Sequence, residues 1–230
     1  MIAALYDDVV VEKPWGYEYL MFRNSDVALW YLLLSRDERT SLHCHPRKKT
    51  GFVVLSGSVS LCFLNNRTVL KAPANVMIRA GLFHQSVADR GSDVALIEVE
   101  TPVDKTDLVR LDDSYGRQKV GYEPVVATRP LDSTCLRLSP AAHGDLLTWH
   151  CHDHVLRMHG RRDAESLAAT LKPHDIVIVL EGGLVADRDT AILGPGDVVS
   201  ASTLSRIGAA FASPTGMSVL VITPSEMLAR

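Results

Sequence analysis

The chain has no charge excess, no long apolar run and no paired cysteine spacing, and each absence removes a class of function. Its 24 basic and 27 acidic residues leave a formal net charge of -3. Neither nucleic acid nor an anionic membrane surface is therefore expected as a partner. The local basic runs Arg47-Lys48-Lys49 and Arg161-Arg162 read first as solvated loops. No apolar stretch approaches the ~20 residues that a membrane-spanning helix requires. Met1 to Val11 contains Asp7 and Asp8 but no basic leader, so it is not expected to act as a secretory signal. Cys44, Cys62, Cys135 and Cys151 follow no paired pattern, and a reduced, cytoplasmic protein is the expectation.

Helical periodicity is also missing from residue 18 to residue 100. Short apolar or alternating runs take its place. Strands are expected at Glu18–Phe22, Val27–Leu34, Ser41–His45, Phe52–Leu55, Ser58–Phe63, Arg67–Leu70, Asn75–Ile78, His84–Ala88 and Val94–Glu100. Turn-forming clusters separate them, among them Asn24-Ser25-Asp26, Ser56-Gly57, Asn65-Asn66 and Gly91-Ser92-Asp93. Many short strands at this spacing imply an all-β sandwich or barrel. Residues 1–16 read as a lead-in ending at the turn Lys13-Pro14-Trp15-Gly16, and Thr101 to Arg129 reads as a charged connector.

After Pro130 the strand pattern resumes, at Cys135–Leu138, Leu146–Met158, Ile176–Leu180, Leu184–Ala186, Thr190–Leu193, Val198–Ala201 and Val219–Ile222. One helix is expected, from Asp163 as N-cap to Leu171, with Pro173 beyond its end. A faint repeat links the halves. Val53-Val54-Leu55-Ser56-Gly57 aligns with Ile178-Val179-Leu180-Glu181-Gly182, and the Val-rich stretch at Asn75 with that at Asp197. In this register His43, His45 and Thr50 fall opposite Ala168, Thr170 and Asp175, and His84 falls opposite Arg206. The second half is thus expected to keep the architecture and lose the histidines.

Those histidines are the strongest chemical signal. His43 and His45 are two apart, so an extended strand points both imidazoles the same way. His84 follows the turn-like Arg79-Ala80-Gly81-Leu82-Phe83. Three imidazoles brought together suit a divalent ion such as Zn, Fe, Mn or Ni, and spacing does not say which.

The spacing His43-x-His45, four residues, Thr50, six residues, Gly57, followed by Gly81-Leu82-Phe83-His84, resembles the two motifs of the cupin superfamily. Lys13-Pro14-Trp15-Gly16, Ile97-Glu98-Val99-Glu100 and Asp107-Leu108-Val109-Arg110 narrow it, as does Asp113-Ser114-Tyr115-Gly116-Arg117. They resemble the cupin domain of type II mannose-6-phosphate isomerases. The resemblance covers about residues 10 to 118. The second half resembles a cupin at its Gly182 turn and at Gly194-Pro195-Gly196-Asp197, and together the two halves imply two tandem jelly-roll barrels, an N-terminal one over 1–118 with the metal site and a C-terminal degenerate one over 119–230, few short helices, and pairing into a homodimer. The second motif's proline is Arg79 here, and two further departures matter. Thr50 stands where the motif has glutamate, and His43 stands where these isomerases usually have glutamine.

The resemblance implies a metal-dependent isomerase of a sugar or sugar phosphate, with His43, His45 and His84 as metal ligands. The departures leave open a three-histidine iron enzyme using dioxygen, or a non-catalytic sugar-binding protein. Glu98 is the candidate general base if its strand face points inward. Arg117 is either a sugar-phosphate contact or an interdomain salt bridge. Lys48 and Lys49 are candidate phosphate contacts, weighed against a plain solvated loop. Thr50 either faces the substrate or is an ordinary strand threonine. His150, His152 and His154 form a second alternating set, read as an exposed polar strand face or oligomer contact rather than a metal site.

Overall fold

The computed structural model describes residues 6–123, 127–187 and 190–225; part of the expected lead-in, residues 1–5, lies outside them. The chain divides into two compact units between Arg137 and Leu138. The first holds β1 (Val9–Lys13), β2 (Gly16–Arg23), β3 (Ala28–Leu34), β4 (Leu42–Cys44), β5 (Lys49–Ser56) and β6 (Ser58–Phe63). It continues with β7 (Arg67–Lys71), β8 (Ala74–Ile78), β9 (His84–Ala88), β10 (Val94–Thr101), β11 (Val109–Asp112) and β12 (Thr128–Pro130).

These strands form two antiparallel sheets, ordered β12-β1-β2-β3-β10-β5-β8 and β11-β4-β9-β6-β7. Eight consecutive strands, β3 to β10, make the barrel. They split into β3-β10-β5-β8 and β4-β9-β6-β7, with the first strand beside the last, which is the double Greek-key order of a jelly roll. The interior is apolar at alternate positions: Trp30, Leu32 and Leu34 on β3, Phe52 and Val54 on β5, Val59 and Leu61 on β6. Strand alternation carries the same face to Thr50 on β5 and to Glu98 and Glu100 on β10. Glu98 pairs with Phe52, and Glu100 with Thr50.

The boundary differs from the expected 118/119. The expected connector contains two strands, and both pair back into the first unit. β11 lies beside β4, and β12 beside β1, with Val9 opposite Pro130. Glu123 is ion-paired to Lys13 and Arg117. Residues 119–123 and 127–137 therefore belong with the first unit. Part of the expected lead-in is β1, an inner strand of that sheet.

The second unit contains β13 (Leu146–Cys151), β14 (His154–Arg162), α1 (Ala164–Ala168), β15 (Ile176–Gly182) and β16 (Leu184–Val185). β17 (Ala191–Leu193), β18 (Val198–Ser200), α2 (Ala201–Gly208) and β19 (Met217–Pro224) complete it. One sheet runs β13-β14-β19-β15-β18, and β16 pairs with β17. The helices bury Ala164, Leu167 and Leu204 against Val177, Val179, Val219 and Val221. Asp163 caps α1 as expected, accepting from the Ser166 amide at 2.8 Å. α2 begins where the expected Val198–Ala201 strand ends, with Ser200 as its cap. Cys135–Leu138 forms no strand. The expected single strand over 146–158 is a hairpin. It turns at His152, whose φ is 50°, and Asp153.

Candidate metal centre

His43 sits on β4 between β9 and β11, directly opposite His84 on β9 and Arg110 on β11. His45 follows β4, at a bend held by Asp107, whose Oδ2 accepts from the amides of Arg47 and Lys48 at 2.9 Å each. The turn before His84 is tied to the same point, since the Gly81 amide donates to the His45 carbonyl at 2.8 Å. The result is a compact group: one ligand atom from each of the three histidines lies within 4.8 Å of the others. Ring centroids are 4.5 Å apart for His43 and His84, and 5.0 Å for His43 and His45.

Each ring is oriented by a backbone carbonyl. Nδ1 contacts the carbonyl of Ser41 at 2.8 Å for His43, of Asp107 at 2.6 Å for His45, and of Leu82 at 3.0 Å for His84. A carbonyl only accepts, so Nδ1 carries the proton and Nε2 keeps its lone pair. Nε2 of His45 and of His84 is buried and has no hydrogen-bond partner. Burial pushes the His43 imidazole well below the ordinary histidine range, with the other two rings adding to the effect. Burial and then Lys48 bring His45 down to about 3; burial brings His84 to about 4 against the Leu82 carbonyl, which raises it. Three neutral imidazoles whose Nδ1 atoms are held by carbonyls, two of them with unpartnered buried Nε2 atoms, suit a divalent ion. Among the described residues this is the one such cluster.

His43 and His45 open onto a cavity whose apolar wall includes Trp15, Leu32, Phe52 and Leu108. Its polar wall is densely charged. Lys13, Lys48, Lys105, Arg110 and Arg117 line it, as do Glu18, Glu98, Glu100 and Glu123. Lys48 Nζ donates to Glu100 Oε1 at 3.0 Å, and Lys105 Nζ to the same oxygen at 3.1 Å and to Glu18 at 3.2 Å. Lys105 also lies over the Trp30 ring, 3.6 Å from its centroid, and Tyr122 donates to Glu18. Burying so many charges is costly unless geometry compensates, and such concentrations mark functional clefts. Burial favours neutral Glu18, but Lys105 and Lys13 hold its carboxyl down at about 2. Glu98 behaves oppositely. Burial, and then the charge of Glu100, push it up to about 7.

Glu98 and Glu100 both face inward and are buried. Lys48 is 1% exposed and ion-paired inside the cavity, not on a solvated loop. Lys49, half-buried at the start of β5, stands outside the lining. Thr50 is buried on the same strand face as Phe52, and its Oγ1 has no partner. Arg117 lines the cavity and is bound by Asp113 at 2.7 Å and Glu123 at 2.6 Å, so its salt bridges lie within the first unit. The second histidine set does not share one strand face, because the hairpin turn divides it. His150 is exposed on β13, His152 is in the turn, and His154 is buried on β14. Sequence reasoning missed Lys13, Glu18, Lys105, Arg110, Tyr122 and Glu123. Glu18 left one signal, a carboxylate within the otherwise apolar run of β2.

No protein-family model and no curated protein matches the chain. Solved structures do resemble it. KdgF from Halomonas sp. is 16% identical with a TM-score of 0.40, over 42% of this chain and 89% of that one. A cupin-like protein from Thermotoga maritima is 16% identical with a TM-score of 0.39, over 44% of this chain and 80% of that one. An uncharacterized conserved protein from Klebsiella pneumoniae with a double-stranded β-helix domain is 15% identical with a TM-score of 0.39, over 42% of this chain and 84% of that one. Strand order is the firmer mark of the fold. Eight strands in two interleaved Greek keys make the first unit a jelly-roll barrel, with the three histidines on β4, its exit and β9.

Proposed function

We propose that the chain is a metal-dependent enzyme that isomerises a small anionic sugar, a sugar phosphate of the mannose 6-phosphate type, by moving a proton between adjacent carbons. The observation that carries this reading is Glu98. It is a buried carboxyl in the cavity onto which His43 and His45 open, and burial, then the charge of Glu100, raise its affinity for protons above that of an ordinary carboxyl. His43, His45 and His84 would hold the divalent ion, which supplies Lewis-acid polarisation of a carbonyl when bound. Glu98 would take a proton from one carbon and return it to its neighbour while the hydroxyl proton passes from one oxygen to the other, so substrate and product have the same composition. The cavity lining carries one more cation than carboxylate, which favours an anionic substrate. Arg110 and Arg117, at the charged wall, would orient the anion.

The test is interconversion of mannose 6-phosphate and fructose 6-phosphate by metal-loaded protein. Turnover is expected, and Glu98→Gln should lower it by about 100-fold or more, the scale of a lost general base. No interconversion by the loaded protein overturns the reading. A second reading is favoured by the tight group being three histidines with no carboxylate in it. On that reading the protein purifies with iron and consumes oxygen with a diol or diketone. A sugar phosphate that raises the melting temperature without turnover points to a binding protein.

A further inference from the structure

Beside the histidines lies a second set of unsatisfied buried groups. Glu100 is 1% exposed. Its Oε1 accepts from both Lys48 and Lys105, while its Oε2 is buried with no hydrogen-bond partner. Thr50 stands directly opposite on β5, also 1% exposed, and its Oγ1 has no partner either. A buried carboxylate oxygen and a buried hydroxyl each cost free energy when unpaired. Opposed residues in antiparallel strands have Cβ atoms roughly 5 Å apart, so the pair forms one polar patch. On the same strand face, Lys48 brackets Thr50 on one side and Phe52 on the other, and both line the cavity. The lysines pin one carboxylate oxygen and leave the other to point elsewhere.

The tight group of imidazole nitrogens does not include Glu100. The carboxylate lines the same cavity as His43 and His45 without joining their cluster of ligand atoms. We propose that Glu100 Oε2 and Thr50 Oγ1 together hold the non-histidine ligand of that ion. Oε2 only accepts hydrogen bonds, so the ligand oxygen must still carry a proton: a water, or an alcohol of the substrate. Thr50 adds a donor or an acceptor as the ligand requires. Glu100 is thus a positioning residue, fixed by Lys48 and Lys105, and it also places a negative charge beside an ion whose three ligands are neutral.

The inference rests on the three-histidine metal reading, and its test separates the two. Zinc and cobalt(II) binding to the full chain are measured by calorimetry, and the visible spectrum of the cobalt form is recorded. Glu100→Gln is expected to weaken metal binding by 10- to 100-fold, the range for groups that orient a metal site from outside its ligand set, and to shift the cobalt bands. Thr50→Val should weaken binding by a smaller factor in the same direction. Should Glu100→Gln fold poorly because two lysines lose a partner, Glu100→Asp keeps the charge and withdraws the oxygen by one methylene, with the same expected loss. Affinity within twofold of the original protein and unchanged cobalt bands in Glu100→Asp and Thr50→Val overturn the inference while leaving the histidine site intact. No metal binding by the unsubstituted chain overturns both.

Discussion

The two units run through the same eight elements in the same order, and differ at two of them. β3, β10, β5 and β8 lie side by side in the first unit, and β14, β19, β15 and β18 in the second. The short pair β6 and β7 corresponds to β16 and β17. Both units also turn at a glycine with positive φ at the end of the matching strand, 79° at Gly57 just after β5 and 66° at Gly182 closing β15. A side chain at either would meet a carbonyl oxygen, Asp93 at 2.6 Å or Gly216 at 2.0 Å. The two differing elements are β4 and β9, the strands that carry or present the histidines. Their counterparts are α1 and α2. Leu167 and Leu204 on those helices are buried in the second unit's core with Val177, Val179, Val219 and Val221. The face that bears Phe52 and Glu98 there bears Val177 and Val221 here. The second unit thus has two short helices at the positions in the order where the first has the strands that present its histidines.

The largest effect that breaks the comparison is on metal content. His45→Ala should weaken metal binding by more than the roughly 100-fold of a supporting residue, and His154→Ala should leave metal content unchanged. Elemental analysis of the two variants decides, and a loss with His154→Ala would mean that the second unit holds an ion of its own. Next in size is the packing that replaces the site. Leu204→Ala should cost about 2–5 kcal/mol by emptying the second core, read in a denaturant melt, with no change in metal affinity. A coupled loss of metal would show that the units are not independent in this respect.

The smallest effect concerns pH, and it sharpens the contrast between Glu98 and Val221. Burial holds His45 at about 3 and His84 at about 4, below the ordinary 6.5. In metal-free protein they therefore stabilise the fold above pH 6.5, and that contribution is lost as pH falls toward 4. Glu98, raised from 4.5 to about 7, has the opposite sign. Its contribution is complete below pH 4.5 and is lost as pH rises to 7. A tenfold change in the proton affinity of any of these groups is worth about 1.4 kcal/mol at most. Urea midpoints of metal-free protein should fall from pH 6.5 to 4, and fall more steeply in Glu98→Gln. An equal slope in the two proteins would place Glu98 in an ordinary solvated environment.

Much of the first barrel was legible because its strands alternate. Nine expected strands from residue 18 to residue 100 correspond to β2 through β10, with small shifts at the ends. The histidine pair was legible for the same reason, since a period of two fixes the face. The hairpin at 146–162 was not, because His152-Asp153 carries none of the usual glycine or proline punctuation, and alternation continues across it. α2 was hidden because Val198-Val199-Ser200 reads as strand up to its cap, and Ala201 to Gly208 is too short for its period to stand out. The charged wall was hidden for another reason. Lys13, Glu18, Lys105 and Glu123 are far apart in the chain and individually look like surface charges, and only closure of the barrel makes them partners.

By itself the sequence determined the all-β class, the repeat and that His43 shares a strand face with His45 and Glu98 with Glu100, because strand alternation is local and needs no partner. Tertiary structure decided what those faces enclose. It fixed the imidazole tautomers through carbonyls of Ser41, Leu82 and Asp107, drew Lys48 out of an expected loop into an ion pair with Glu100, and filled the second core with helices. Each of those outcomes depends on groups brought together across the fold, where burial and Coulomb interaction act over distances that spacing along the chain does not encode.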